Sequence, residues 1–115
     1  MTSSPTIIEL PFFSKVREKH MNDQGFRELQ SLLISEPGRG DVIKGSGGVR
    51  KVRFKSQNRA TGKRSGIRVI YLWVAKKERI YLLWIIDKAD QSDLTPQQSE
   101  MMREIAETIK GVDHE

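Results

Sequence analysis

The chain lacks cysteine, and only two histidines occur among its 115 residues. Without cysteine, neither a disulfide framework nor a thiolate nucleophile is available. His20 and His114 each stand apart from any second metal-ligand candidate at helical or turn spacing, so no zinc site is expected. The sequence therefore predicts chemistry without a metal and without any other cofactor.

Long apolar runs are also missing. No run approaches the roughly 18 residues that span a bilayer. The first ten residues, MTSSPTIIEL, lack the basic and apolar regions of a signal peptide. We expect one domain over residues 1–115, located in the cytoplasm and not bound to a membrane.

Acidic residues are nearly absent from the middle of the chain. Between Lys44 and Arg79 there are twelve of the twenty Lys and Arg residues and one acid, Glu78. The rest of the chain carries eight bases and fourteen acids. Because positive charge gathered in one segment attracts polyanions, nucleic acid is the first partner that the sequence indicates.

The first part of the chain predicts a strand and two helices. A strand over 6–10 is followed by a helix over about 12–20. A second helix begins after Asn22 or Asp23 and ends at Pro37, and the glycine-rich residues 38–48 predict a loop.

The second part predicts three strands and a closing helix. The strands cover 49–55, 66–74 and 80–86, with a polar loop over 56–65. Thr95 predicts a helix N-cap, with Pro96 at the first position and Gln98 completing a capping box. The expected buried stripe of this helix is Met101 or Met102, Ile105, Ile109 and Val112. The fold class is α+β, with the N-terminal strand and the two helices packed on an antiparallel sheet and a C-terminal helix.

Alternation along the 49–55 strand separates apolar from basic side chains. Lys51, Arg53 and Lys55 share one face with Val49, whereas Arg50, Val52 and Phe54 point to the other face. Arg68 is the only charge inside the following strand, and it needs a partner or an opening because burying it alone is costly. We expect five basic residues to converge on one concave phosphate-binding surface, namely Lys51, Arg53, Lys63, Arg64 and Arg68.

Crowded Lys and Arg side chains suit cleavage of RNA by its own 2′-hydroxyl. The protein must orient that hydroxyl, hold the phosphate oxygens and move two protons. Arginine binds a phosphate with two parallel bonds, and a lysine among other cations can serve as a base. A basic strand face that binds nucleic acid without catalysis, or one that is merely solvated, also fits the charge. The aromatic residues of the later strands fit base stacking or, more commonly, the core; they are Tyr71, Trp73, Tyr81 and Trp84.

Three segments of the chain resemble a known family when their order and spacing are taken together. They are GDVI at 40–43, GSGGVRKVR at 45–53 and GKRSGIRVIY at 62–71, extended by YLL at 81–83 and by residues 88–95. In these segments the chain resembles the RelE-type toxins of bacterial type II toxin–antitoxin modules, and especially their HigB-like branch. The resemblance covers about residues 12–109.

The resemblance implies a small α+β fold and an mRNA interferase, an endonuclease that cuts messages on the ribosome. It implies cleavage that leaves a 2′,3′-cyclic phosphate and a 5′-hydroxyl, without metal. It also implies a cognate antitoxin encoded nearby, a HigA-like DNA-binding protein. The toxin then reaches operator DNA only indirectly, through that antitoxin.

The family's basic site carries over onto six positions of this chain. The resemblance assigns the catalytic positions to Lys51, Arg53, Lys63 and Arg68. It assigns RNA-binding positions to Arg50 and Arg64, and we expect Lys55 and Lys88 to bind RNA as well. In role, Lys51 or Lys63 is expected to be the base, and Arg68 with Arg53 to hold the phosphate.

One position departs from the family pattern. Many relatives have a tyrosine at the end of the last strand, where this chain has Ile86, followed by Asp87 and Lys88. The acid that usually follows that lysine is retained as Asp90. Two alternatives to the nuclease stay open, a ParE-like gyrase poison on the same fold and a non-catalytic RNA- or ribosome-binding module. The dense basic segment favours the nuclease over the gyrase poison.

Overall fold

The computed structural model describes residues 4–55, 66–88 and 91–113. Within these ranges the helices are α1 (Pro11–His20), α2 (Asp23–Ser35) and α3 (Pro96–Asp113). The strands are β1 (Thr6–Glu9), β2 (Asp41–Val42), β3 (Val49–Phe54), β4 (Ile67–Val74) and β5 (Arg79–Asp87). The predicted α+β class and the order of the predicted elements are confirmed. None of the helices in the described ranges is long and apolar enough to cross a membrane.

The five strands form one mixed sheet in the order β1-β5-β4-β3-β2. The pairs from β2 to β5 are antiparallel, as predicted, whereas β1 joins the edge of the sheet parallel to β5. The chain between β1 and β5 includes two helices and three strands, which is ample for the crossover that a parallel pair requires. The two-residue strand β2 lies inside the segment predicted as a loop, and it was missed because two residues carry no periodicity.

Apolar residues cover both faces of the sheet. On the first, called here the α1–α2 face, Val52, Val69 and Leu82 pack with residues of α1 and α2. On the second, the α3 face, Val49 and Leu72 pack with Met102 and Ala106 of α3. The sheet is therefore the middle layer of a three-layer domain, and its buried apolar residues divide between two separate cores.

Helix starts follow the predicted capping residues. The Asn22 side chain accepts a hydrogen bond of 2.8 Å from the Gly25 N–H at the start of α2. At the start of α3, the Thr95 hydroxyl accepts from the Gln98 N–H, and the Gln98 side chain accepts from the Thr95 N–H. Of the two methionines that the pattern left open, Met102 is buried and Met101 is exposed. The side chain of Val112 lies outside the described residues.

Tyr71 ties the segment after α2 to the sheet. Its hydroxyl donates to the Pro37 carbonyl at 2.7 Å and accepts from the Gly40 N–H at 2.9 Å. The side chain is fully buried. Arg50 supports the same segment, because its guanidinium donates to the carbonyls of Gly38 and Gly40. The chain between α2 and β3 is thus held by side chains of the two neighbouring strands.

Replacing Tyr71 with phenylalanine should reduce both stability and its alkaline pH dependence. The change leaves one buried and one partly buried backbone group without their partner, which costs about 1–3 kcal/mol. Burial raises the pKa of Tyr71 above its ordinary value of 10.0, against the lowering effect of the Gly40 hydrogen bond. Because the folded-state pKa is raised, this stabilisation is complete below about pH 10 and is lost as the pH rises through the folded-state pKa.

Denaturant unfolding of the wild type and of Tyr71→Phe, repeated from about pH 8 to about pH 11, measures both the loss of stability and the change in its pH dependence. Tyr81→Phe is the matched control, because the Tyr81 hydroxyl accepts a bond of 3.3 Å from Arg79 and lies on the other face of the sheet. Equal losses in the two variants would contradict the role given to Tyr71.

Candidate functional site

Three of the predicted basic residues lie together on the α3 face. Arg53 of β3 is the register partner of Arg68 of β4, and Lys51 is the partner of Ile70 two pairs further along. Helix α3 covers this face around Val49 and Leu72, at the opposite end of the same strand pair. The cations therefore occupy the part of the sheet face that lies beyond the α3 core.

The surface around these cations is concave. A cleft of about 440 Å³ is lined by Arg39, Asp41, Lys51, Val52, Arg53 and Arg68. A second cleft of about 280 Å³ is lined by Arg53, Phe54, Lys55, Gly66, Ile67, Arg68 and Lys88. Both include Arg53 and Arg68, and we call the two clefts together the basic cleft. Its lining supports the prediction of a concave surface for Lys51, Arg53 and Arg68.

Two of these cations have partners in the segment before α3. The Lys51 ammonium is 2.9 Å from the Asp93 carboxylate, and the Arg68 guanidinium donates to the Ser92 carbonyl at 3.2 Å. The hydrogen bond from Lys51 lowers the pKa of Asp93, and the Leu94 N–H adds to this effect. Asp93 is therefore a fixed negative charge beside the cations.

The other predicted site residues are distributed around and away from the basic cleft. Lys55 and Lys88 are exposed and line its second part. Arg50 lies on the opposite strand side and bonds to the carbonyls after α2, so the structure does not bring it into the basic cleft. Lys63 and Arg64, together with Asp90, lie outside the described residues.

Asp93, beside the basic cleft, and Arg39, in its lining, were not predicted from the sequence as site residues. Asp93 comes just before the capping box of α3, and its contact with Lys51 joins residues that lie far apart in the sequence. Arg39 follows α2 and forms an exposed ion pair of 3.1 Å with Glu36. Arg39 lies just before β2, which pairs with β3 beside the cleft, and no sequence pattern predicted that strand.

The position of Ile86 explains why an apolar residue is accommodated there. Ile86 is the register partner of Arg68, next to the basic cleft, but its side chain is buried in the α3 core. Tyr71 and Tyr81 are buried as well, and Trp73 and Trp84 are partly buried. The interpretation of these four aromatic residues as core is therefore confirmed.

The basic cleft can bind a phosphodiester chain. Two guanidinium groups project from adjacent strands, and each can donate two parallel hydrogen bonds to phosphate oxygens. The cations on either side of this pair are Lys51 in one part of the cleft and Lys55 with Lys88 in the other. A polyanion with several phosphates in a row matches this arrangement better than a small anion does.

Comparison with solved structures places the chain in a known fold. A free-state variant of the E. coli toxin RelE with two arginine-to-alanine substitutions has a TM-score of 0.54 at 12% identity, over 77% of this chain and 88% of that chain. The isolated E. coli RelE toxin has a TM-score of 0.51 at 15% identity, over 89% of this chain and 99% of that chain.

A third similar structure is that of the intact E. coli RelBE toxin–antitoxin complex, with a TM-score of 0.51 at 12% identity. It covers 73% of this chain and 96% of that chain. No protein-family model matches the chain. At these identities the likeness establishes the architecture, and the RelE-like fold predicted from the three segments is confirmed.

Proposed function

We propose that this chain is the toxin of a type II toxin–antitoxin module, from the HigB-like branch, and that it cleaves mRNA on the ribosome. The observation that supports the proposal is the basic cleft, in which Lys51, Arg53 and Arg68 meet on one open face of a RelE-like fold. Action on ribosomes places the protein in the cytoplasm.

The proposed reaction is a transesterification within the RNA strand. The 2′-hydroxyl oxygen attacks the adjacent phosphorus while a base takes its proton. The bond from phosphorus to the 5′ oxygen breaks, and that oxygen receives a proton. The products are a 2′,3′-cyclic phosphate and a 5′-hydroxyl, so atoms and charge balance without water or a redox partner. Fixed cations lower the barrier because charge accumulates on the phosphate oxygens in the transition state.

The contacts within the basic cleft suggest roles for its residues. Arg53 and Arg68 hold the scissile phosphate. Of the two lysines expected to serve as the base, Lys51 already has its ammonium 2.9 Å from the Asp93 carboxylate, in an ion pair. We therefore assign the base to Lys63 and give Lys51 the role of a phosphate-binding cation. Lys55, Lys88 and Arg64 are assigned to flanking phosphates, and Arg50 to support of the neighbouring segment.

A cognate antitoxin is part of the proposal. E. coli RelE has a solved structure in complex with its antitoxin. The basic cleft of this chain must be blocked by a partner while the toxin is inactive. We propose a HigA-like partner, which presents acids over the basic cleft or apolar anchors over the helices, and through which the toxin reaches operator DNA.

End mapping after brief expression of the chain tests the proposed function. Two copies of one message are compared, one translated and one without its start codon. New 5′-hydroxyl ends paired with 2′,3′-cyclic phosphate ends, in the translated copy alone, are the expected result. Ends carrying a 5′-phosphate would contradict the 2′-hydroxyl mechanism. Growth arrest without any new RNA ends would favour gyrase poisoning or ribosome binding without cleavage, and a DNA-cleavage assay with purified gyrase separates these two.

A further inference from the structure

Asp93 is held in one position by its own surroundings. One carboxylate oxygen accepts from the Leu94 N–H at 2.8 Å, and the other accepts from the Lys51 ammonium at 2.9 Å. Its backbone carbonyl accepts from the Gln91 side chain at 2.6 Å. The carboxylate is therefore fixed at both oxygens, even though its side chain is 49% exposed.

This arrangement continues into the start of α3. The Gln98 side-chain oxygen accepts from both the Gln91 amide and the Thr95 N–H, each at 3.0 Å. Residues 91–98 thus form a hydrogen-bonded unit at the first turn of α3. The Ser92 carbonyl of the same unit accepts a hydrogen bond from Arg68 of β4, and the next residue, Asp93, pairs with Lys51 of β3. Two consecutive residues therefore bind two cations from neighbouring strands.

We propose that Asp93 is a positioning residue that fixes the Lys51 ammonium towards a phosphate of the RNA strand. The inference rests on the proposed function and names a further residue for it. A lysine side chain loses substantial rotamer freedom when it is held in one place. The ion pair with Asp93 fixes Lys51 before RNA binds, so that binding does not have to order it. Lys51 touches the substrate, whereas Asp93 acts through Lys51.

Asp41 provides a matched control for charge. It is the register partner of Lys51 across the β2–β3 pair, and it lines the same part of the basic cleft. Among the described residues, however, the ion pair to Lys51 comes from Asp93. Asp41→Asn and Asp93→Asn therefore each remove one negative charge near Lys51, but the second alone removes the bond to Lys51.

The test is a double-mutant cycle that combines Lys51→Ala with each of these two aspartate variants. Cleavage is followed on ribosomes programmed with mRNA, with kcat and KM determined separately. Binding is followed with a single-stranded RNA that carries 2′-O-methyl riboses and cannot be cleaved. If Asp93 positions Lys51, the loss of RNA binding and cleavage caused by Lys51→Ala is smaller by about threefold or more in the Asp93→Asn background than in the wild type. In the Asp41→Asn background that loss is the same as in the wild type. In the cleavage arm, Asp93→Asn raises KM more than it lowers kcat, because substrate binding must then order Lys51, and Asp93→Glu restores part of the loss.

Three outcomes would overturn the proposal. An equal Lys51→Ala loss in all backgrounds would mean that Asp93 does not act through Lys51. A larger loss in Asp93→Asn would mean that Asp93 withholds Lys51 from RNA. If the Lys51→Ala loss became smaller to the same extent in the Asp41→Asn background, the effect would come from net charge and not from the bond between Asp93 and Lys51. If the wild type bound the methylated RNA but cleaved no message, the proposed nuclease would fail, and the binding cycle would still decide the role of Asp93.

Discussion

Replacing Arg68 with alanine is expected to lower RNA cleavage by about 10²–10³-fold, the loss typical of removing one preorganised donor from a site that stabilises a developing oxyanion. Arg68 is at the centre of the basic cleft, because it lines both parts and is the register partner of Arg53. The Ser92 carbonyl accepts a bond from its guanidinium and so orients the group before substrate arrives. The variant loses that preorganised donor and half of the arginine pair.

Cleavage by purified protein on programmed ribosomes, under single-turnover conditions, measures this loss. Arg68→Lys keeps the positive charge but lacks the planar guanidinium that binds two phosphate oxygens at once. It should therefore recover only part of the cleavage rate. Arg103→Ala is the control for removing an exposed arginine elsewhere, since Arg103 pairs with Glu100 and Glu107 on α3. An Arg68→Ala protein with the melting temperature of the wild type and a cleavage rate within about threefold of the wild-type rate would exclude Arg68 from the site.

Replacing Gly40 with alanine is expected to destabilise the fold by about 1–3 kcal/mol, the usual cost of overpacking a filled site. A Cβ atom at Gly40 would lie 2.8 Å from the Lys51 carbonyl oxygen and 2.9 Å from the Tyr71 ring. Neither neighbour can yield easily, because one is strand backbone and the other is a buried ring. The same displacement would move the backbone of Lys51, so cleavage should fall as well.

Gly38→Ala is the matched control, because a Cβ at that position has no neighbour within 4 Å. Denaturant midpoints of the two variants, compared with the wild type, measure the difference. Gly38→Ala should change the free energy of unfolding by less than about 0.5 kcal/mol, as is usual for a surface substitution. A Gly40→Ala protein as stable as Gly38→Ala would show that the segment after α2 can move away from β3.

Local signals accounted for most of the fold. Capping residues located the starts of α2 and α3, and apolar runs located β4 and β5. The parallel pairing of β1 with β5 was not predictable in the same way, since it joins residues far apart in the chain, such as Thr6 and Arg79. The short strand β2 was missed because its pairing with β3 is set by the tertiary structure.

The candidate site was predictable to the extent that it depends on alternation. Period-two spacing placed Lys51 and Arg53 on one face, and the isolated charge in β4 singled out Arg68. Period two also placed Arg50 on the other face, in conflict with the family resemblance, and the structure agrees with the alternation. Asp93 reaches Lys51 across the fold, and no local pattern encodes a contact between a strand and the turn before a distant helix.

The pairing of the first strand with the last has a consequence for the order of folding. Strands β3, β4 and β5 are neighbours in both sequence and sheet, so their pairing closes short loops at low entropic cost. The pairing of β1 must wait for β5 and closes a much longer loop, which is the slower kind of step. The strands that carry Lys51, Arg53 and Arg68 can therefore pair while β1 is still unpaired. A chain trapped at that stage would expose an open edge on β5, where another extended segment could add to the sheet.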